Sequence, residues 1–284
     1  MPLLLTAVIS IFNYVNVPTA EMREQPNTES EIVSQAYYSE PVNIIEDASE
    51  WVKIETTVDH YQGWAKRSAL CQKAEAYPSN SAGGSVTVNR CAAHVYHAQD
   101  TVYGPIVTLP FESALDLAEP ASAPDSRWLK VKLIDGREGY IQRGDVTFRK
   151  TSLNRNEMCL WALRFLDLPY TWGGRSSFGY DCSGFTQMLY RQMGSYLPRD
   201  SKDQMHWEGF TAITMEKLKA GDLIFFGLAE DKIRHVGLSI GDDRFIHSTV
   251  AENAPYVRIS RLSDAEWNGS GRFAYRAART LKIK

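Results

Sequence analysis

The chain has 284 residues, 44% of them hydrophobic and 23% charged, with a net charge of -3. That length calls for two or three domains rather than one large core. The composition is that of a globular protein, and the lack of any basic block excludes the electrostatic footprint of a nucleic-acid binder.

Residues 1–15, "MPLLLTAVISIFNYV", form an apolar N-terminal segment. It has no basic n-region and no small-residue cleavage site, and it is shorter than the roughly 20 residues that span a bilayer. It reads as a strand or packing segment, with a signal remnant as the alternative. No other segment has the character of a membrane span.

From residue 16 to about 150 the chain reads as β-rich. Short alternating runs such as "EIVSQAYY", "PVNIIED", "EWVKIETTV" and "YQGWAKRSAL" are broken by Pro, Gly, Asn and Asp, the pattern of small barrels or sandwiches. A weak repeat runs through it. "WVKI" at Trp51–Ile54 precedes "GWAK" at Gly63–Lys66, and "WLKV" at Trp128–Val131 precedes "GYIQ" at Gly139–Gln142. This predicts two copies of one small β domain, at 16–77 and 86–150, joined by a linker over 78–85, "PSNSAGGS". Both copies resemble bacterial SH3 (SH3b) domains; the second carries the insertion "AEPASAPDSR" and diverges more.

The period changes at residue 151. Asn154 or Asn156 caps a predicted helix through "EMCLWALRFLDL", with Met158, Trp161, Ala162, Phe165 and Leu166 on one face. After the Gly-rich loop "YTWGGRSSFGYD", a second helix is predicted over "CSGFTQMLYRQMG", stopped by Gly194. The strands "DLIFFG", "HVGLSI" and "RFIHST" follow, so residues 151–284 read as an α+β domain.

Cysteines occur at 71, 91, 159 and 182 and form no C-x-x-C pair, so no zinc site is implied. Their thin spread suggests a reducing compartment, with a Cys71–Cys91 bridge left open. Cys159 lies on a packing face. Cys182 falls at the start of the second helix, where free N–H groups and the helix dipole favour a thiolate and lower its pKa, and the glycines before it let a substrate approach. The neighbouring Asp181 opposes this, so a histidine is needed to pair with the sulfur. Of six histidines, His235 and His247 lie on adjacent strands joined at "GDDR". A two-residue loop would set His235 opposite Val250 and turn His247 to the other face. An odd loop, or a bulge, sets His235 opposite Thr249 and His247 opposite Gly237, so that both imidazoles share a face. One then takes the thiol proton and the other orients it, the logic of a cysteine hydrolase.

With these elements in place, residues 151–284 resemble the NlpC/P60 family of cell-wall peptidases, in "YTWGGRSSFGYDCSGF", "LPRDSKDQ", "AGDLIFFG" and "RHVGLSIGDDRFIHST". The resemblance implies a multidomain protein in which two small all-β SH3-like barrels precede a papain-like α+β catalytic domain. It implies Cys182 as nucleophile, His235 as general base, His247 as the residue orienting it, and Tyr170 near the oxyanion. Asp181 and Ser183 would hold a substrate amino group, with Ser201 lining the same pocket. Arg199 and Asp200 either line the cleft or form a helix-flanking salt bridge. The SH3b arrangement resembles the subgroup that cleaves γ-D-glutamyl–diamino acid bonds in peptidoglycan stem peptides with a free N-terminal L-Ala. There the first SH3b walls off one end of the cleft, with Glu31 and Tyr61 near the amine.

No metal or organic cofactor follows, the expected partners are stem peptides rather than nucleic acid or membrane, and a monomer is favoured. The expected setting is cytoplasmic, with an exported or periplasmic protein as the alternative. Rival readings are a hydrolase of intact cross-linked peptidoglycan, a non-catalytic wall-binding protein, and a thiol acyltransferase or amidase.

Overall fold

In the strand Trp51–Thr56, residues Val52, Ile54 and Thr56 are buried while Trp51, Lys53 and Glu55 are not. The strand Trp128–Lys132 buries Leu129 and Val131 in the same way. Period-2 burial of this kind is what an antiparallel sheet with one wet face selects. The computed structural model describes residues 11–79, 83–121, 126–148, 152–268 and 273–282. Most of the predicted N-terminal segment, residues 80–82 of the predicted linker and 122–125 of the insertion lie outside these. The chain divides into two units, Met1–Glu31 with Ala36–Arg149, and Ile32–Gln35 with Lys150–Lys284.

The first sheet has seven strands, β1 (Phe12–Val15), β2 (Thr19–Arg23), β3 (Ile32–Tyr37), β4 (Pro41–Ala48), β5 (Trp51–Thr56), β6 (Gln62–Lys66) and β7 (Leu70–Lys73), in the order β3-β2-β6-β5-β4-β1-β7. The second is built from β8 (Ser85–Val88), β9 (Ala92–Ala98), β10 (Asp100–Pro110), β11 (Ala114–Leu117), β12 (Trp128–Lys132), β13 (Glu138–Gln142) and β14 (Val146–Thr147), in the order β10-β9-β13-β12-β11-β8-β14. The two orders are the same, strand for strand. The repeat seen in the sequence is the β5–β6 and β12–β13 hairpin, in which Trp51 lies opposite Lys66 and Trp128 opposite Gln142. Tyr14, Tyr38 and Tyr77 are buried with the second sheet's core residues. Each hydroxyl is used there: Tyr14 accepts from the Tyr77 N–H, Tyr38 from the Ile134 N–H, and Tyr77 donates to the Lys132 carbonyl.

The second unit opens with α1 (Arg155–Ala162). Asn154 caps it, and the Asn154 and Glu157 side chains bond each other's backbone N–H groups in a capping box. The cap is therefore Asn154 and not Asn156. The helix is shorter than its apolar pattern suggests, because Leu163–Phe165 tighten into a 3-10 turn. Next come the two-stranded ribbon β15 (Arg175–Ser176) and β16 (Gly179–Tyr180), α2 (Cys182–Gln192) and α3 (Ser201–Met205). Gly194, at φ 76°, ends α2. A six-stranded sheet completes the unit, from β17 (Phe210–Ile213), β18 (Leu223–Gly227), β19 (Ile233–Gly241), β20 (Arg244–Thr249), β21 (Tyr256–Arg261) and β22 (Tyr275–Leu281), in the order β17-β22-β18-β19-β20-β21, with α4 (Ala265–Asn268) between the last two strands in sequence. Phe165, Tyr180 and Phe185 meet ring to ring beneath α2, with centroids 5.7 to 6.2 Å apart. Burying a ring such as Phe185 contributes about 1.5–3 kcal/mol.

Candidate active site

The glycines on either side of Cys182 allow the loop and the helix to pack closely. A Cβ on Gly184 would lie 2.2 Å from the Gly174 carbonyl oxygen, and one on Gly174 would lie 2.2 Å from that of Gly179. The loop therefore rests directly on the first turn of α2. Ser248 Oγ donates to the Tyr180 carbonyl (2.6 Å) and fixes the approach to the helix from β20. Tyr170 is half-buried; its N–H donates to the Pro255 carbonyl (2.7 Å), and it bridges to Tyr180, two residues before Cys182.

Asp181 is the N-cap of α2 and accepts from the Gly184 N–H at 2.7 Å. Its carboxylate also receives a two-pronged bond from Arg199, Nη1 to Oδ1 at 3.1 Å and Nη2 to Oδ2 at 2.5 Å. Arg199 Nη1 further donates to Ser183 Oγ (3.0 Å) and Nε to Ser34 Oγ (3.0 Å). The Arg199 side chain is only 1% exposed, so Arg199 is the buried counter-charge of Asp181. Ser201 is half-exposed in the first turn of α3. Gln204, fully buried on the same helix, donates to the Ser183 carbonyl at 3.0 Å.

Cys182 occupies the first position of α2, as expected, but its protonation runs the other way. Burial, and then the Asp181 charge, push the thiol up to about 12; hydrogen bonds to the Val236 and Ser183 backbone and the Arg199 charge pull only weakly against this. Desolvation outweighs the helix-terminus effect because the dipole is worth about 1–2 kcal/mol at most. The Val236 bond sets the sulfur against β19 one residue after His235.

The histidine hairpin solves its register with a bulge. Leu238 pairs with Ile246 and Ser239 with Phe245, but Gly241 pairs with Arg244 across a shift at Ile240. Asp242 and Asp243 form the two-residue turn with φ of 51° and 62°, which short acidic side chains tolerate. His235 Nε2 consequently lies 2.7 Å from His247 Nδ1, and His247 Nε2 lies 3.0 Å from Ser260 Oγ on β21. Gly237 leaves the room this needs: a Cβ there would sit 2.6 Å from the Phe245 ring and 3.3 Å from His247 Cβ. Trp267 of α4 stacks at 5.5 Å from His235 and 4.8 Å from His247, Phe245 at 4.4 Å from His247, and Phe226 and Phe273 at 5.8 and 5.6 Å from His235. Burial lowers His235 to about 3 and holds His247 well below the usual histidine range, the latter also repelled by His235 and Arg258. The resting site thus holds a thiol and two neutral imidazoles.

Residues 167–271 match the NlpC/P60 family and residues 18–70 match the bacterial SH3 domain. The chain carries an NlpC/P60 domain and a bacterial SH3 domain. A Bacillus subtilis protein named gamma-D-glutamyl-L-lysine dipeptidyl-peptidase is 28% identical over 86% of this chain and 81% of its own length. A Bacillus cereus protein of the same name is 26% identical over 88% of this chain and 77% of its own. The crystal structure of an NlpC/P60 family protein from Bacillus cereus shares the fold, with a TM-score of 0.77 at 23% identity over 96% of this chain and 99% of that one. The NlpC/P60 domain makes this chain a hydrolase of the cysteine-peptidase type.

Of the residues singled out in the sequence, this unit gathers Cys182, Asp181, Ser183, His235 and His247, with Tyr170 and Ser201 on the adjoining loop and helix. Glu31 and Tyr61 lie in the first unit. Glu31 is exposed, and its carbonyl accepts from the Glu24 N–H. Tyr61 packs on that unit's core between β5 and β6. The sequence reading did not single out Ser260, Gln204 or Trp267. Ser260 lies on β21, a strand the sequence did not reveal, and the β20–β21 pairing places it one step diagonally from His247.

Proposed function

We propose that this chain hydrolyses the γ-D-glutamyl–diamino acid amide bond of peptidoglycan stem peptides that begin with a free L-Ala. The observation that carries it is the 2.7 Å contact between His235 and His247, on strands packed against the start of α2. The substrate class follows from the relatives' names. In this reaction the Cys182 sulfur attacks the γ-carbonyl carbon while His235 Nδ1 takes the thiol proton. The oxyanion forms against the Cys182 backbone N–H, free at a helix start, and the Tyr170 hydroxyl. His235 returns the proton to the departing amine. It then deprotonates the water that opens the thioester, and Cys182 is regenerated.

Among the described residues Asp181 Oδ2 accepts one bond, from Arg199, so it keeps lone-pair capacity for the L-Ala ammonium, with Ser183 and Ser201 beside it. Glu31 and Tyr61 enter only through the likeness of the first domain to bacterial SH3 domains. The shared strand order supports reading residues 86–150 as a second, divergent SH3 barrel. Helices followed by an antiparallel sheet support a papain-like second unit. Free thiols at all four cysteines favour a reducing, cytoplasmic setting in which stem peptides are recycled. The test is release of lysine from L-Ala-γ-D-Glu-L-Lys. Wild type should release it, and Cys182→Ala and His235→Ala should not while keeping wild-type circular dichroism. Turnover by Cys182→Ala would overturn the mechanism.

A further inference from the structure

The histidine pair is a chain of hydrogen bonds with a direction, and the direction decides whether it works. A neutral imidazole carries one N–H. His235 Nε2 is engaged with His247 Nδ1, and His247 Nε2 with Ser260 Oγ, so His235 Nδ1 is the nitrogen left to take the thiol proton. It is basic only if the His235 proton sits on Nε2 and is donated to His247 Nδ1. His247 must then carry its own proton on Nε2 and donate it to Ser260 Oγ. In the opposite arrangement the hydroxyl donates, His247 donates from Nδ1, and His235 is protonated on Nδ1, where it is useless as a base.

The three residues lie on a diagonal across β19, β20 and β21, one strand each. Ser260 is 4% exposed, and Phe245 and Trp267 close over His247. Bulk water therefore does not stand in for the hydroxyl. The pair is buried and neutral, so tautomer rather than charge is the variable that remains.

We infer that Ser260 is a positioning residue for the hydrolysis, accepting the His247 Nε2–H and thereby fixing the tautomer in which His235 Nδ1 is free to act. This rests on Cys182 and His235 being nucleophile and base. It adds a fourth member to the group and places the determinant of base competence on β21, at a residue that touches neither sulfur nor substrate.

The test pairs Ser260→Ala and Ser260→Thr with nitrogen-15 NMR of histidine-labelled enzyme. Wild type should show protonated Nε2 and bare Nδ1 on both imidazoles. Ser260→Ala should show mixed tautomers, with kcat down about 10- to 100-fold and KM for L-Ala-γ-D-Glu-L-Lys unchanged. Ser260→Thr, which keeps the hydroxyl and suits a strand, should recover both the tautomer and most of kcat. A purely structural role would lower stability and move neither the spectrum nor the kcat-to-KM split. Wild-type spectra with His247 protonated on Nδ1 overturn the inference, whether or not Ser260→Ala folds; so does a folded Ser260→Ala with wild-type kcat. The spectra need no turnover, so failure of the peptidase reading, seen as activity in Cys182→Ala, is distinguishable from failure of the relay.

Discussion

Arg199→Met removes a guanidinium that is buried and donates to Asp181, Ser183 and Ser34. Removing one partner of a buried ion pair costs about 3–5 kcal/mol, since the other charge is left stranded. Removing both in Asp181→Asn/Arg199→Met strands no charge. Asn keeps the helix cap, and the residual cost is the lost bonds to the two serines, about 1 kcal/mol each. The double variant is therefore expected to be about 1–3 kcal/mol more stable than Arg199→Met. Urea unfolding followed by tryptophan fluorescence, with slopes compared across variants, measures this. A second readout is chemical. Asp181 raises the Cys182 pKa and Arg199 lowers it, so Arg199→Met should slow iodoacetamide labelling and Asp181→Asn should speed it. A loss under about 1 kcal/mol in Arg199→Met, or a double variant no more stable than the single, would refute Arg199 as the buried counter-charge.

The histidine pair sets a pH window. Both pKa values are lowered in the fold, His235 to about 3 from 6.5 and His247 well below its usual value, so their contribution to stability is complete above pH 6.5 and is lost as pH falls below it, for His235 down to about 3. Each group adds up to about 1.4 kcal/mol per pH unit, and a flat urea midpoint between pH 7 and 5 would contradict this. Cys182 is raised from 9.0 to about 12, so its contribution is complete below pH 9 and is lost above it; in the free enzyme, labelling should keep rising through pH 10 without a plateau near neutrality. Gly184→Ala drives a Cβ against the Gly174 carbonyl and should yield little soluble protein in a centrifugation assay, where wild-type yield would count against the packing role. Tyr170→Phe should lower kcat about 100- to 1,000-fold with KM kept, as loss of one oxyanion donor does; steady-state kinetics decide it.

The parts of the site legible in the sequence were those set by local rules. Glycine spacing and a helix-start cysteine placed Cys182, and strand parity predicted an odd loop or a bulge between His235 and His247, of which the fold uses the bulge. Arg199 was visible but ambiguous, because its partner Asp181 is 18 residues away and only the fold shows that they meet. β22 went unread because "YRAARTL" carries two arginines through a partly buried strand. Trp267 went unread because a four-residue helix has no periodicity to detect. The thiol pKa was misjudged for a related reason: the helix start is local and visible, whereas burial is a property of everything packed around it.

Amine-gated cleavage by Cys182 is the proposal on which the roles of Asp181 and His235 depend. The most direct measurement is mass spectrometry of products from L-Ala-γ-D-Glu-L-Lys and its N-acetylated counterpart, with wild type and Cys182→Ala side by side. Cleavage is expected at the γ-glutamyl bond of the free peptide alone, and none by Cys182→Ala. Equal cleavage of both peptides, or cleavage by the cysteine variant, would contradict it.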